Sequence, residues 1–218
     1  MPGEVRCVGF DWGGVILRIC RSFEEGVHRA GLDLRPGTDA PALKQQRHDL
    51  AHEYQIGRLT REEFLSRVSA AMNGVYTPAE FERIHDAWLI EEYAGVDRLV
   101  ADLLASPRVE TAMLSNTNEL HWRRQQLGAD GLPHFPTAGR LKHRHASHLL
   151  GLAKPEASIY RAFERDTGFT PGSILFFDDL ADNISTARAC GWFAEQIDHT
   201  GDTAAQMREH LRRYGVLA

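Results

Sequence analysis

Four short segments carry the side chains best suited to chemistry. They are Asp11, Ser115-Asn116, Lys154-Pro155 and Asp178-Asp179. A carboxylate can attack as a nucleophile and form a covalent intermediate, and clustered carboxylates suit Mg²⁺, which prefers oxygen ligands. A hydroxyl, a backbone amide and a lysine ammonium stabilise the negative charge of a phosphoryl group during its transfer. Together these residue types indicate metal-assisted chemistry on a phosphate ester.

The strands of one sheet must bring these segments together. Three short apolar runs predict buried strands, at residues 5–10, 109–114 and 174–177. The runs end at Asp11, at Ser115 and at Asp178, respectively. Because the carboxyl ends of parallel strands share one edge of the sheet, where α/β folds bind ligands, we expect these side chains to converge on one crevice. Lys154 opens the helix that precedes the third strand and would join them.

The stretch between the first and second strands shows helical periodicity and no strand signal. Thr60 and Thr77 each begin a capping box, with a Glu three residues later. A crossover between parallel strands needs only about 30 residues, so roughly 70 residues here are surplus. We predict an all-helical cap domain at residues 18–92, inserted into an α/β core formed by residues 1–17 and 93–218.

Helices and strands alternate in the rest of the chain, with residues 128–146 hard to assign. Apolar spacing predicts further helices at residues 39–57, 96–104, 156–167, 182–190 and 203–213. A last strand is predicted at residues 192–197. This order is typical of an α/β protein with a parallel sheet.

The composition excludes several classes of protein. The 218 residues include 25 Lys+Arg and 30 Asp+Glu, a formal net charge of −5, which argues against a nucleic-acid binder. No apolar run is long enough to span a membrane, and the first residues do not resemble a signal peptide. Cys7, Cys20 and Cys190 form no CxxC pair, which favours a reduced, cytoplasmic protein. The oligomeric state stays open.

In order along the chain, the four segments resemble the motifs of the haloacid dehalogenase-like (HAD) superfamily. They are FDWGGVI at 10–16, LSNTN at 114–118, KPE at 154–156 and FDDLADN at 177–183. The resemblance is closest to subfamily IA, with a helical C1 cap, and to its bacterial α-D-glucose-1-phosphatase-like branch, which residues 53–60 and 147–160 also resemble. It implies a Rossmann-like core and an Mg²⁺-dependent phosphatase that acts on a small phosphorylated metabolite, such as a sugar phosphate, through an aspartyl-phosphate.

The resemblance also implies a role for each matching position. The catalytic residues implied are the nucleophile Asp11 and Lys154, which positions it. The metal ligands implied are Asp11, the Gly13 carbonyl, Asp179 and, directly or through water, Asp178. The residues implied to bind the phosphoryl group are Ser115, Asn116 and Lys154. Asp182 is expected to support the loop of the fourth motif, at 177–183, without itself contacting the metal or the phosphoryl group.

Gly13 departs from the pattern of most phosphatases in the superfamily, which have an Asp there that protonates the leaving oxygen. Such a general acid contributes about 10²–10⁴ in rate, so its absence favours substrates with good leaving groups. Members of the glucose-1-phosphatase-like branch share this glycine. Two alternatives stay open: a metal-independent 2-haloacid dehalogenase, which needs no general acid, and a degenerate domain that binds without turnover. The Asp178-Asp179 pair favours the phosphatase, because clustered carboxylates need a cation.

Two other features suggest function less strongly. His143, His145 and His148 are not spaced to place three zinc ligands on one helical face, so a solvated loop is the favoured interpretation. Trp12 follows the nucleophile position directly, and packing is favoured over a role as a pocket wall.

Overall fold

A computed structural model describes residues 4–126 and 133–218, so residues 1–3 and 127–132 of the predicted core lie outside it. The strands are β1 (Cys7–Phe10), β2 (Leu17–Ile19), β3 (Leu89–Glu92), β4 (Glu110–Ser115), β5 (His143–Ala146), β6 (Ile174–Asp178) and β7 (Phe193–Gln196). Five of them form one sheet in the order β5-β4-β1-β6-β7, and every neighbouring pair is parallel. The prediction of an α/β fold with a parallel sheet is confirmed.

Helices connect these strands and cover the sheet. They are α1 (Phe23–Arg29), α2 (Pro41–Gln55), α3 (Arg61–Ala71), α4 (Pro78–Ala87), α5 (Val96–Leu104), α6 (Glu119–Trp122), α7 (Pro136–Gly139), α8 (Ser147–Leu150), α9 (Ala157–Thr167), α10 (Ala181–Ala189) and α11 (Thr203–Arg213). No helix in the two described ranges is long and apolar enough to cross a membrane. The longer helices lie where apolar spacing predicts them.

The central strands are buried because both faces of the sheet are covered. Every residue of β1 and β6 is buried. Side chains alternate between faces along a strand, and β6 shows this directly. Phe177 belongs to the hydrophobic cluster that includes residues of α5 and α11, whereas Phe176 packs edge-on against Tyr160 of α9 and Trp192. The continuous apolar run of β6 is therefore what a doubly covered parallel strand requires.

Helices α1 to α4 lie between β2 and β3, and we call residues 20–88 the insert. The insert has a hydrophobic cluster of its own, in which Tyr54 stacks on Phe64 at 4.6 Å between ring centroids. Both predicted capping boxes are present: the Thr60 and Thr77 hydroxyls accept from the third backbone N–H of α3 and α4. The insert therefore takes its helical form from local capping signals and an independent apolar core.

The ends of the insert differ from the prediction. Strands β2 and β3 pair antiparallel as a two-stranded ribbon, so the segment predicted to be all helical begins and ends in strand. The expectation that no strand occurs in this stretch is wrong at Leu89. Both strands are too short, at three and four residues, to show the alternation that identifies a strand in a sequence. A bond from Cys20 N–H to the Trp88 carbonyl, at 2.9 Å, continues the ribbon into the insert.

The capping box of α3 predicts a stability effect that can be measured. Thr60→Ala removes the hydroxyl that accepts from Glu63 N–H, so we expect the free energy of unfolding to fall by about 1 kcal/mol in urea denaturation. Ser66→Ala is the matched control, since Ser66 is exposed in the middle of the same helix and should be neutral or slightly stabilising. Equal losses from both variants would contradict a capping role.

Candidate active site

The ends of β1 and β6 and the start of the segment before α9 meet at one edge of the sheet. Lys154 Nζ lies 3.1 Å from Asp11 Oδ1 and 2.6 Å from Asp178 Oδ2. The Lys154 and Asp178 side chains are completely buried, and Asp11 and Asp179 are nearly so. The structure thus brings together four of the predicted site residues, Asp11, Lys154, Asp178 and Asp179, in a largely buried setting.

Asp11 is buried without enough positive charge around it. Its Oδ1 accepts from Trp12 N–H at 2.7 Å as well as from Lys154. Burial raises the pKa of Asp11 to about 7: Lys154 and a hydrogen bond from Ser115 act to lower it, and the Asp178 and Asp179 carboxylates raise it further. Asp11 is therefore only partly ionised near pH 7 without a further cation.

Lys154 is held in place through both its ammonium group and its backbone. Burial lowers its pKa, but the Asp11 and Asp178 carboxylates raise it by more, so the pKa of Lys154 lies above its usual value. The Asn116 side chain accepts from Lys154 N–H and donates to the Lys154 carbonyl, both at 2.8 Å. Asn116, predicted to contact a phosphoryl group, thus uses its side chain to position Lys154.

Asp178 has hydrogen-bond donors on both carboxylate oxygens. Oδ1 accepts from Leu180 N–H at 2.9 Å and Oδ2 from Lys154, and Asn183 Nδ2 donates to both oxygens at 2.9 and 3.0 Å. Asp182, expected to support this loop, is exposed in the first turn of α10 instead. The adjacent Asn183 does that work, and the Tyr160 hydroxyl donates to its carbonyl.

Ser115 ends β4, and the turn that follows it is fixed by a residue that the motifs do not identify. The fully buried Ser147 hydroxyl accepts from Thr117 N–H and donates to the Thr117 carbonyl, both at 2.9 Å. His148 Nδ1 lies 3.1 Å from the same carbonyl. The start of α8 therefore sets the path of the chain beyond Ser115.

Asp179 is paired with Arg21, which lies two residues beyond the end of β2. Arg21 Nη1 lies 2.7 Å from Asp179 Oδ2. Gly14 makes this approach possible, because its φ of +83° is in the left-handed region and a Cβ there would lie 2.4 Å from Asp179 Cγ. No sequence signal links Arg21 to Asp179, since 158 positions separate them. Gly14, the second glycine of the first motif, is the sequence feature that comes closest to indicating this contact.

The acidic side chains fit a hard divalent cation. Asp11, Asp178 and Asp179 each offer an oxygen, and these oxygens lie within 4.8 Å of one another. Among the described residues, two cationic side chains, Lys154 and Arg21, pair with these three buried carboxylates. An all-oxygen donor set is what Mg²⁺ prefers. Since Asp178 already has donors on both oxygens, Asp11 and Asp179 are the carboxylates best placed to bind a metal.

The three histidines contact different parts of the fold. His143 and His145 lie on the edge strand β5, so the solvated-loop interpretation is wrong for both. His143 pairs with Glu110 at 2.7 Å, and His145 Nε2 lies 3.5 Å from Asp166. His148 instead contacts the turn after Ser115.

Two other residues near Asp11 have packing roles. Trp12 is 2% exposed and meets Phe135 edge-on at 6.2 Å, as expected for a core residue. Cys20 is buried, and burial raises the pKa of its thiol to about 11. Cys20 is therefore a neutral thiol and not a nucleophile at neutral pH.

Comparisons with known proteins agree with this geometry. A family model described as haloacid dehalogenase-like hydrolase matches residues 5–191. Phosphatase MT3486 of Mycobacterium tuberculosis (strain CDC 1551 / Oshkosh) is 35% identical over 72 residues, which cover 33% of this chain and 33% of that protein. The alignment thus spans about a third of the curated relative.

Solved structures extend the likeness to nearly the whole chain. HAD-family enzyme BT-2542 of Bacteroides thetaiotaomicron, in complex with magnesium and inorganic phosphate, has a TM-score of 0.77 at 21% identity, covering 94% of this chain and 100% of that chain. A HAD-like family hydrolase of Porphyromonas gingivalis has a TM-score of 0.78 at 24% identity, covering 96% and 99%. At these identities the likeness shows a shared fold.

The pKa of Asp11 predicts how stability depends on pH without metal. Because the pKa is about 7 in the folded chain and about 3.9 when unfolded, ionisation between those values costs the folded state up to roughly 4 kcal/mol. In a chelator, Asp11→Asn should therefore become increasingly more stable than the wild type as pH rises from about 4 to 7, and the gain should then level off.

Urea denaturation at each pH measures this difference. Asp182→Asn is the control, since Asp182 is exposed and outside the carboxylate cluster, and its difference from the wild type should stay nearly constant. An Asp11→Asn variant that loses stability relative to the wild type as pH rises would refute the buried-charge account.

Proposed function

The chain belongs to the haloacid dehalogenase-like hydrolases, and on that basis we propose that it is an Mg²⁺-dependent phosphatase acting on a small phosphorylated metabolite, such as a sugar phosphate. The observation that carries the proposal is the contact of Lys154 with Asp11, beside the buried pair Asp178 and Asp179. The same fold in a protein crystallised with magnesium and inorganic phosphate supports it.

In this proposal Asp11, Asp179 and the Gly13 carbonyl hold the metal. When bound, Mg²⁺ neutralises the carboxylates and polarises the phosphoryl oxygens, so that an anionic nucleophile can approach an anionic ester. Asp178 acts mainly through Lys154, because its oxygens already accept four hydrogen bonds. Any further contribution of Asp178 to the metal would run through a water.

The residues of the chain can carry out phosphoryl transfer in two steps. Trp12 N–H and Lys154 fix Asp11 Oδ1, and we assign the attack on phosphorus to Oδ2. A bond forms between Oδ2 and phosphorus as the bond to the leaving oxygen breaks, which gives an aspartyl-phosphate. Lys154, Ser115 and the Asn116 backbone N–H hold the phosphoryl oxygens. Water then attacks phosphorus, the bond to Asp11 breaks, and inorganic phosphate leaves.

The leaving oxygen has no protonating side chain at residue 13. A Cβ on Gly13 would lie 2.9 Å from Ile19 Cδ1, so Ile19 occupies the direction that an acid would take. The leaving group must take its proton from solvent, from the substrate or from a group on the insert. This favours substrates whose leaving groups are already good.

We assign the role of a cap to residues 18–92, on the contacts of the insert with the site. Arg21 reaches Asp179, and helix α6, which follows β4, contacts the insert. Leu120 N–H donates to the Tyr54 hydroxyl at 3.3 Å, and His121 Nε2 lies 2.9 Å from the His85 carbonyl. The insert thus contacts the fourth motif at Asp179 and helix α6, which follows the second motif. A segment with contacts at both places is well placed to cover a bound substrate.

A cytoplasmic location fits the cysteines. Cys7, Cys20 and Cys190 are all buried and free. Buried thiols without disulfides are usual in a reducing compartment.

Gly13 keeps carbon–halogen hydrolysis as a second candidate, because displacement of halide at carbon needs no general acid. Chloride release from a 2-haloacid in the presence of a chelator would favour that reaction over the phosphatase. Mg²⁺-dependent binding of a phosphate mimic, without turnover of any metabolite phosphate, would instead identify a domain that binds without catalysis.

We expect Asp11→Asn to abolish the Mg²⁺-dependent release of phosphate, because the amide oxygen is a poor nucleophile. The assay uses a generic aryl phosphate and then a panel of metabolite phosphates, with and without Mg²⁺. Asp182→Asn is the matched control and should keep wild-type activity. The same residual rate in Asp11→Asn and the wild type would disprove nucleophilic catalysis by Asp11.

Restoring a carboxyl group at residue 13 should change which substrates are turned over. Gly13 lies outside the left-handed region, and within residues 4–126 and 133–218 the atoms nearest to a Cβ there belong to the end of Ile19. In Gly13→Asp with Ile19→Ala, we expect the rate for alkyl phosphates to rise about tenfold or more. Aryl phosphates should change little, because their leaving groups depart without being protonated.

The single variants Gly13→Asp and Ile19→Ala serve as controls, and neither should show the gain. An unchanged ratio of alkyl to aryl rates in the double variant would show that a side chain at residue 13 does not reach the leaving oxygen.

A further inference from the structure

Arg21 lies on a carboxylate that the metal also requires. It follows the last residue of β2 by two positions, and its Nη1 is 2.7 Å from Asp179 Oδ2. The Asp179 side chain is 3% exposed, whereas that of Arg21 is 35% exposed. One partner is fixed in the core of the site, and the other reaches it from a surface position.

The charges around the site explain why Arg21 lies there. Asp11, Asp178 and Asp179 place three carboxylates within 4.8 Å, and Lys154 is shared between the first two. Asp179 makes no contact with Lys154 among the described ion pairs, and Arg21 supplies its positive charge instead. Without metal, this pair offsets the desolvation of a buried carboxylate, which would otherwise be strongly unfavourable.

Open space lies beside the Arg21 side chain. Its side chain lines a cleft of about 540 Å³ between the ribbon and the loop after β7. Glu25 lines the same cleft, accepts from the Arg21 backbone N–H at 2.8 Å, and would face a guanidinium that left Asp179. Movement of Arg21 into the cleft therefore exchanges one carboxylate partner for another and does not strand a buried charge.

Resting on the proposed function, we infer that Arg21 and the divalent metal compete for Asp179, so that Arg21 sets the metal affinity of the site. A guanidinium in contact with Asp179 repels a divalent ion at the same carboxylate. Metal binding then displaces Arg21 into the cleft, and loss of the metal lets it return. Arg21 is thus a positioning residue that neutralises Asp179 when no metal is bound and weakens the binding of Mg²⁺.

Titration calorimetry of Mg²⁺ into chelator-treated protein tests the inference without an activity assay. Arg21→Gln removes the charge, Arg21→Lys keeps it, and Arg18→Gln is the matched control, since Arg18 lies on the same ribbon but pairs with Glu91. We expect Arg21→Gln to bind Mg²⁺ at least about tenfold more tightly than the wild type, and Arg18→Gln to stay within about twofold. Arg21→Lys should lie nearer the wild type.

The other outcomes overturn the inference in distinguishable ways. Weaker or unchanged binding by Arg21→Gln, in a variant that melts cooperatively, would show that Arg21 orients Asp179 for the metal or is irrelevant to it. Equal tightening by Arg18→Gln would reduce the effect to net charge. Absence of Mg²⁺ binding from every protein, Arg21→Gln included, would contradict the metal requirement of the proposed function itself.

Discussion

The burial of three carboxylates at one edge of the sheet is the constraint on which the rest of the site depends. An ionised carboxylate away from water is tolerated only when donors or opposite charge surround it. The chain meets this need unevenly: Asp178 has Lys154 and Asn183, and Asp179 has Arg21. Asp11 shares Lys154, and burial holds its pKa near 7. The acid that accepts the most hydrogen bonds is thus a supporting one, whereas the acid placed for attack keeps a raised pKa.

The same constraint connects the insert with the core. Arg21 of the insert brings a cation to Asp179, and helix α6 contacts α4 through His121 and the His85 carbonyl. Burial lowers the pKa of His121 to about 4 and keeps the pKa of His85 well below its usual value, so both rings are neutral near pH 7. Their contact is therefore insensitive to pH in the neutral range. The insert contacts Asp179 after β6 and helix α6 after β4, the two strands that flank β1. A shift in the position of the insert would therefore change contacts on both sides of Asp11.

Sequence patterns predicted the features that depend on local signals. Strands β1, β4 and β6 are buried apolar runs, and the capping boxes at Thr60 and Thr77 follow from residue types alone. Strand β5 escaped prediction because its sequence, HRHA, is that of a polar edge strand. Asn183, and not Asp182, bonds to Asp178 because of which side of the first turn of α10 faces that carboxylate. The Arg21 contact with Asp179 depends on tertiary packing. Neither is encoded by spacing along the chain.

The packing of Ile19 against Gly13 also bears on how such a chain can evolve. An acid introduced at residue 13 would meet the Ile19 Cδ1 methyl group at 2.9 Å, so this half-buried side chain would have to shift. The effect of such an acid therefore depends on the residue at position 19, which is a case of epistasis between neighbours.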